Sequence, residues 1–109
     1  MRFFTEKLAA TLLAAFAMAA SSAQAAEAEG DPDLGRNLFQ VWSCGACHIL
    51  ADAGGAGQIG PSLDGNPNIS FDYLVSRISN GGGAMPPFAG QLTNEEIASL
   101  AAYILNVAE

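Results

Sequence analysis

Apolar positions along the chain fall into separate stretches that differ in period. The first runs almost unbroken from Leu8 to Ala20 and shows no face. Further on, Leu34, Leu38 and Val41 recur at helical spacing, which predicts a helix over about Pro32 to Ser43. Asp31 is placed to cap it, Pro32 suits its first turn, and Asp33 faces the positive end of its dipole. Phe71, Leu74, Val75 and Ile78 then follow the i, i+3, i+4, i+7 pattern behind a capping Ser70. That second helix, "FDYLVSRISN", is stopped by Asn80 and the run Gly81-Gly82-Gly83. Thr93 and Glu96 form a capping-box pair that opens a third helix, "NEEIASLAAYILNVA", with Ile97, Leu100, Ala101, Ile104 and Ala108 as its apolar stripe. No stretch alternates with the period of a strand, and no internal repeat or charge run is present. Between the first two helices lies "ILADAGGAGQIGPSLDGNPNIS", dominated by turn residues. An ordered loop of this length in a small domain is usually functional, or it wraps something.

The faceless first stretch reads as an address. Arg2 and Lys7 precede it, and Ala23-Gln24-Ala25 follows with the small-x-small pattern of a cleavage site. Export to the periplasm with loss of residues 1–25 is expected. An uncleaved anchor is disfavoured, because the 13-residue run is short of the roughly 20 needed to span a bilayer. No stable membrane insertion is expected after cleavage. Residues 26–30 read as a flexible lead-in and residues 31–109 as the domain. Of 109 residues, 84 then remain, enough for one small domain.

Charge narrows the function. The whole chain carries −7, and losing Arg2, Lys7 and Glu6 takes the mature domain to near −8. Arg36 and Arg77 are its only cations, and no lysine survives. A nucleic-acid partner is disfavoured, because phosphate binding needs a basic face. A domain this small and rich in glycine and alanine also needs help to be stable. One disulfide closing a loop of a few residues would constrain the unfolded chain little.

Cys44-Gly45-Ala46-Cys47-His48 uses both cysteines and the only histidine of the chain. A thioredoxin-like redox pair wants a βαβ setting, absent from this pattern. A structural zinc site wants four protein ligands and finds three. A local disulfide leaves His48 unexplained. Cys-x-x-Cys-His is the attachment signature of haem c, in which both thiols bond to one edge of the porphyrin and the histidine reaches the iron. The sixth iron position follows by elimination: Met1 and Met18 leave with the first segment, so Met85 is the remaining methionine. It stands alone in "GGGAMPPFAG", where glycines let the backbone approach a flat cofactor and Pro86-Pro87 restrict the chain. Taken by itself, Met85 would read as core packing.

These motifs identify the family that the chain resembles. "GRNLF", "CGACH", "GPSLDG", "NGGGAMPPF" and "LTNEEIASLAAYIL" occur in the order found in class I cytochromes c of the small bacterial type, over about Asp31 to Ala108. The resemblance implies an all-α cytochrome c fold, a few helices wrapped around one covalently attached haem. It implies that Gly35 and Phe39 on the first helix meet Tyr103 on the last. It also implies that the Pro61 carbonyl accepts a hydrogen bond from His48. From the residues alone, Gly35 reads equally as a weak point in a helix and Pro61 as a loop turn.

The expected function is one-electron carriage with His48/Met85 axial ligation, not catalysis, because both axial positions are filled. Gly45, Ala46, Ile49, Pro86, Pro87 and Phe88 are expected to form a small apolar contact patch for redox partners. Relatives of the mitochondrial type present lysines there; this chain cannot, so a basic or neutral apolar docking face is expected on the partner. Arg77 reads equally as a propionate partner or a solvated surface residue, and Trp42 as a propionate donor or a packing residue. Two other function classes remain: a dedicated electron-transfer subunit of a periplasmic dehydrogenase complex, and a gas-binding sensor with a labile Met85.

Overall fold

The computed structural model describes residues 29–109. The address segment, its cleavage site and most of the lead-in lie outside the described residues. Among the described residues three α-helices carry the domain: α1 over Pro32–Val41, α2 over Phe71–Asn80 and α3 over Asn94–Val107. Among the described residues no helix is long and apolar enough to cross a membrane.

Each helix starts where its cap chemistry places it. The Asp31 carboxylate accepts from the Asp33 amide at 2.9 Å, with Pro32 at the first helical position. Ser70 Oγ accepts from the Tyr73 amide at 3.2 Å. Thr93 and Glu96 exchange both bonds of a capping box, at 2.8 and 3.1 Å. The ends are less predictable. Helix α1 stops at Val41, before the expected Ser43, because Ser43 adopts the left-handed conformation with φ 57°. Gly81, with φ 66°, closes α2.

The core is built where α1 and α2 meet α3. Phe39 and Tyr103, each 2% exposed, stack edge to face with centroids 5.9 Å apart. A β-carbon on Gly35 would collide with the Ser99 carbonyl and the Tyr103 side chain, so glycine lets α1 and α3 cross in backbone contact. Ser99 is buried, and its hydroxyl accepts from the Asp31 amide at 2.9 Å. Packing already begins at Gly30, assigned by sequence to the lead-in, which lies directly against the Ala98–Ser99 backbone with φ 81°. The stripe on α3 is wider than periodicity implied: Ala98, Ser99 and Tyr103 are buried alongside Ile97, Leu100, Ala101 and Ile104, while Ala108 is only partly covered.

Two very short strands interrupt the expected loop. Ile49–Leu50 (β1) pairs antiparallel with Gly55–Ala56 (β2), in the register Ile49 to Ala56 and Leu50 to Gly55. A 3₁₀ turn over Ala51–Ala53 joins them. Strands of two residues carry no alternation, so period could not reveal them. Arg36 and Gln40 on α1 reach the carbonyls of Asp52 and Ala53 at 3.3 and 2.9 Å, and Tyr103 donates to Asp52 Oδ2 at 2.6 Å. This turn is thereby clamped by α1 and α3, two of the three helices that form the core.

Candidate functional site

The left-handed Ser43 turns the chain out of α1 into a 3₁₀ turn over Cys44–Ala46. The Cys44 carbonyl accepts from the amides of Cys47 and His48, at 3.2 and 3.1 Å. The five-residue motif is therefore one tight turn, and it brings Cys44, Cys47 and His48 to the wall of one cavity of about 490 Å³. Met85 lines the same cavity from the other loop, as does Pro61. Much of the remaining lining is apolar, with Phe39, Leu74, Ile78, Leu100 and Ile104 contributed by the three helices.

His48 is held in orientation. Its Nδ1 lies 2.7 Å from the Pro61 carbonyl oxygen, which has only lone pairs, so Nδ1 carries the proton and donates. Nε2 is then left with a lone pair available to a metal. Gly60 leaves room for the ring: a β-carbon there would lie 2.6 Å from Cε1. The loop is tied back to the motif by Gly60 N–H to the Cys47 carbonyl at 2.8 Å and Gly57 N–H to the Gly45 carbonyl at 3.1 Å.

Met85 is set by a separate device. Gly82 and Met85 exchange two backbone bonds, at 2.9 and 3.0 Å, while Phe88 and Ala89 donate to the Ile78 and Ser79 carbonyls at the end of α2. Gly81 and Gly83 take positive φ, which this tight bridge requires. Met85 is half-buried, touching the core on one side and the cavity on the other.

Both cysteines are free. Burial pushes the Cys44 thiol up to about 11; a hydrogen bond to its own backbone opposes this, and the nearby Cys47 adds to it. Among the described residues no three histidine, cysteine, aspartate or glutamate side chains converge as a metal site. The two thiols are therefore not arranged as metal ligands with His48. Unpaired thiols, an oriented imidazole and a thioether around one largely apolar cavity fit a haem attached through both sulfurs.

The predicted contact patch is redrawn in part. Ala46, Pro86 and Pro87 are exposed and Phe88 is half-buried. Gly45 instead faces inward, where a β-carbon would lie 2.8 Å from Gly55 Cα, and Ile49 is half-buried in β1. Ile59, 72% exposed and on the cavity lining, was not anticipated. Asn66, Ile69 and Tyr73 also line the cavity unanticipated. The isolated isoleucines in a turn-rich loop were the available signal, whereas Tyr73 lies off the apolar stripe of its helix. Trp42 stacks edge-on against Phe88, at 5.8 Å and 88°, and lines the cavity beside it.

Fold and cavity together define a small helical protein with one haem c. Residues 30–104 match the family model described as cytochrome C oxidase, cbb3-type, subunit III. A cytochrome c6 of Leptolyngbya boryana is 36% identical over 86 residues, covering 72% of this chain and 95% of that protein. Among solved structures, the c-type cytochrome SorU from Sinorhizobium meliloti is 38% identical with a TM-score of 0.64, covering 71% of this chain and 90% of its own. Cytochrome c6 from the diatom Phaeodactylum tricornutum is 35% identical with a TM-score of 0.60, covering 72% and 95%. The chain belongs to the cytochrome c family, as a small class I monohaem member that binds haem c covalently and carries electrons.

Proposed function

We propose that this chain is an exported, periplasmic one-electron carrier in which Cys44 and Cys47 hold the haem and His48 and Met85 are the axial ligands. One observation carries the reading: a single, largely apolar cavity receives both an imidazole whose Nδ1 is committed to Pro61 and a thioether from an independently tied loop. Bound there, the haem supplies a one-electron Fe(II)/Fe(III) couple.

The residues of the chain do the rest. Pro61 holds the ring of His48 through Nδ1 and so leaves Nε2 aimed away from the loop as the candidate ligand atom. The Gly82–Met85 bridge fixes the backbone that carries the methionine, and a methionine retained as ligand would leave no position for a substrate. The apolar wall and the thioether both favour the reduced state and raise the potential within the haem range. Export is supported by the N-terminal segment.

Exposed Ala46, Ile59, Pro86 and Pro87 offer a small apolar surface beside the cavity. Transient redox contacts are small, under roughly 1,200 Å² in total, which favours fast release. With a mature charge near −8, the chain is steered to redox proteins with a basic or neutral apolar face.

The test is the visible spectrum of periplasmically expressed protein, oxidised and reduced. Sharp reduced c-type bands and the weak long-wavelength ferric methionine band are expected, the latter lost in Met85→Ala. A ferric wild type without that band, or a reduced one that binds carbon monoxide, would remove Met85 as a ligand. Rates with a basic partner should fall as salt is added; a steep rise would refute attractive steering.

A further inference from the structure

We propose that the Trp42 ring is a latch on the methionine loop: its edge contact with Phe88 decides how readily Met85 leaves the iron, and so how far outside ligands reach it. The inference rests on the ligation reading above.

The two sides of the cavity are built independently. Residues 42–65 are bonded to α1, to α3 and to one another, whereas residues 81–92 are bonded to the end of α2 and to one another. Among the described residues no hydrogen bond or ion pair joins the two segments. Trp42 and Phe88 come one from each, and they meet edge to face with centroids 5.8 Å apart and planes at 88°. Both rings line the cavity and rest on the margin of the core. The indole thus packs on the opposite segment, beyond its own helix.

Both partners are fixed at the backbone. The Trp42 amide donates to the Leu38 carbonyl at 2.9 Å and left-handed Ser43 follows, so Trp42 is the last residue held by α1 before the motif. The Phe88 amide donates to the Ile78 carbonyl at 3.0 Å, and the Phe88 carbonyl accepts from Leu92 at 2.8 Å. Only Pro86 and Pro87 separate Met85 from Phe88, and their rings fix φ, so a displacement of Met85 is passed along the chain to Phe88. The pliable points lie on the other side of the methionine, at Gly81 and Gly83, with φ 66° and 59°. A loop swinging out on these glycines pulls at Phe88, and the contact with Trp42 resists it.

Edge-to-face aromatic pairs contribute beyond the area they bury. A ligand from solution binds the iron only in molecules whose thioether has left, so its apparent affinity scales with that open fraction. Loss of the Trp42 ring raises the fraction by about tenfold for a contact of this kind. Phenylalanine at this position keeps a ring edge and lacks the indole N–H, which separates a latch from a hydrogen-bond donor.

The experiment titrates the ferric, haem-loaded protein with imidazole and follows the visible bands, including the long-wavelength methionine band, for the wild type, Trp42→Ala, Trp42→Phe and Met85→Ala. Trp42→Ala should show the methionine band without imidazole and lose it at about tenfold lower imidazole than the wild type. Trp42→Phe should stay within about threefold of the wild type. In a Met85→Ala background, where the iron position is already open, Trp42→Ala should leave imidazole affinity unchanged. Equal affinities of Trp42→Ala and the wild type would overturn the latch. So would a tenfold gain that persists without Met85, which would mean that the indole only obstructs entry. Trp42→Phe behaving as Trp42→Ala would place the effect on the indole N–H and overturn the latch as well. Should Trp42→Ala fail to mature, Trp42→Leu takes its place, since it keeps apolar bulk and removes the ring. Failure of the ligation reading has its own signature, a wild type that lacks the band and binds imidazole as Met85→Ala does, and that result overturns both.

Discussion

The carbonyl oxygen of Ser99 occupies the space where a β-carbon of residue 35 would stand, so Gly35 and Ser99 meet backbone to backbone where α1 crosses α3. Helix propensity favours alanine over glycine by about 1 kcal/mol, but overpacking in a rigid contact costs about 1–3 kcal/mol or more. Because the obstacle is backbone, collision wins. Gly35→Ala should lower the unfolding free energy of the haem-loaded protein by about 2 kcal/mol, read from denaturant midpoints. Unchanged or raised stability would show that the crossing can open without cost.

Tyr103 ties this crossing to the loop behind the histidine. Burial, and then its hydrogen bond to Asp52, push the phenol up to about 12. Its folded value lies above the ordinary one, so the stabilisation is complete below about pH 10 and is lost as pH rises through about 12. Tyr103→Phe should cost about 1 kcal/mol at neutral pH, and the gap to wild type should close at high pH. A gap of constant size under alkali would mean that packing, not the hydroxyl, carries the contribution.

Asp64 acts in the opposite pH direction. Its oxygens accept from the Ala51 amide at 2.8 Å and the Glu109 amide at 3.0 Å, and these bonds hold the carboxyl below its usual 3.8. The stabilisation is present above the ordinary value and disappears as pH falls through the depressed one. Asparagine keeps one acceptor oxygen and must forfeit a bond. Asp64→Asn should unfold at lower urea than wild type at pH 7, with the difference shrinking below about pH 4. Equal midpoints at pH 7 would refute the role.

The cavity predicts what happens without haem. Phe39, Leu74, Ile78, Leu100 and Ile104 from all three helices line this space of about 490 Å³, so without haem the helices lose the body they share as packing partner. A Cys44→Ala, Cys47→Ala double variant should therefore lack a stable fold. A cooperative, helical melt by circular dichroism in the haem-free variant would contradict this.

The parts of this structure that could be read from sequence are those governed by local rules. Asp31, Ser70 and Thr93 cap as expected because capping needs only neighbours within three residues. The Leu74 and Ile78 faces follow from period. Ser43 lies outside α1, although period predicts a helix through it, because a left-handed serine has no propensity signature and is imposed by the turn that follows. Gly45 packs against Gly55, and nothing local to the motif announces that Gly55 returns to cover it. The cavity positions of Asn66 and Tyr73 depend on how loop and helix close around a shared space, which is non-local. Arg77 lies beside the Tyr73 ring, Gly81 and Gly82, contacts that its place in the helical period does not reveal.

The return bonds of the histidine loop bear on speed. Gly57 to Gly45, Gly60 to Cys47 and Leu63 to Ile49 make the segment from Cys44 to Leu63 a closed frame of backbone bonds at 2.8–3.1 Å. An electron arriving at the centre alters one unit of charge, and the surrounding atoms must settle into a new equilibrium before it can stay. A frame tied to itself has few soft coordinates along which to settle. Such a frame would keep small the reorganisation that accompanies a transfer.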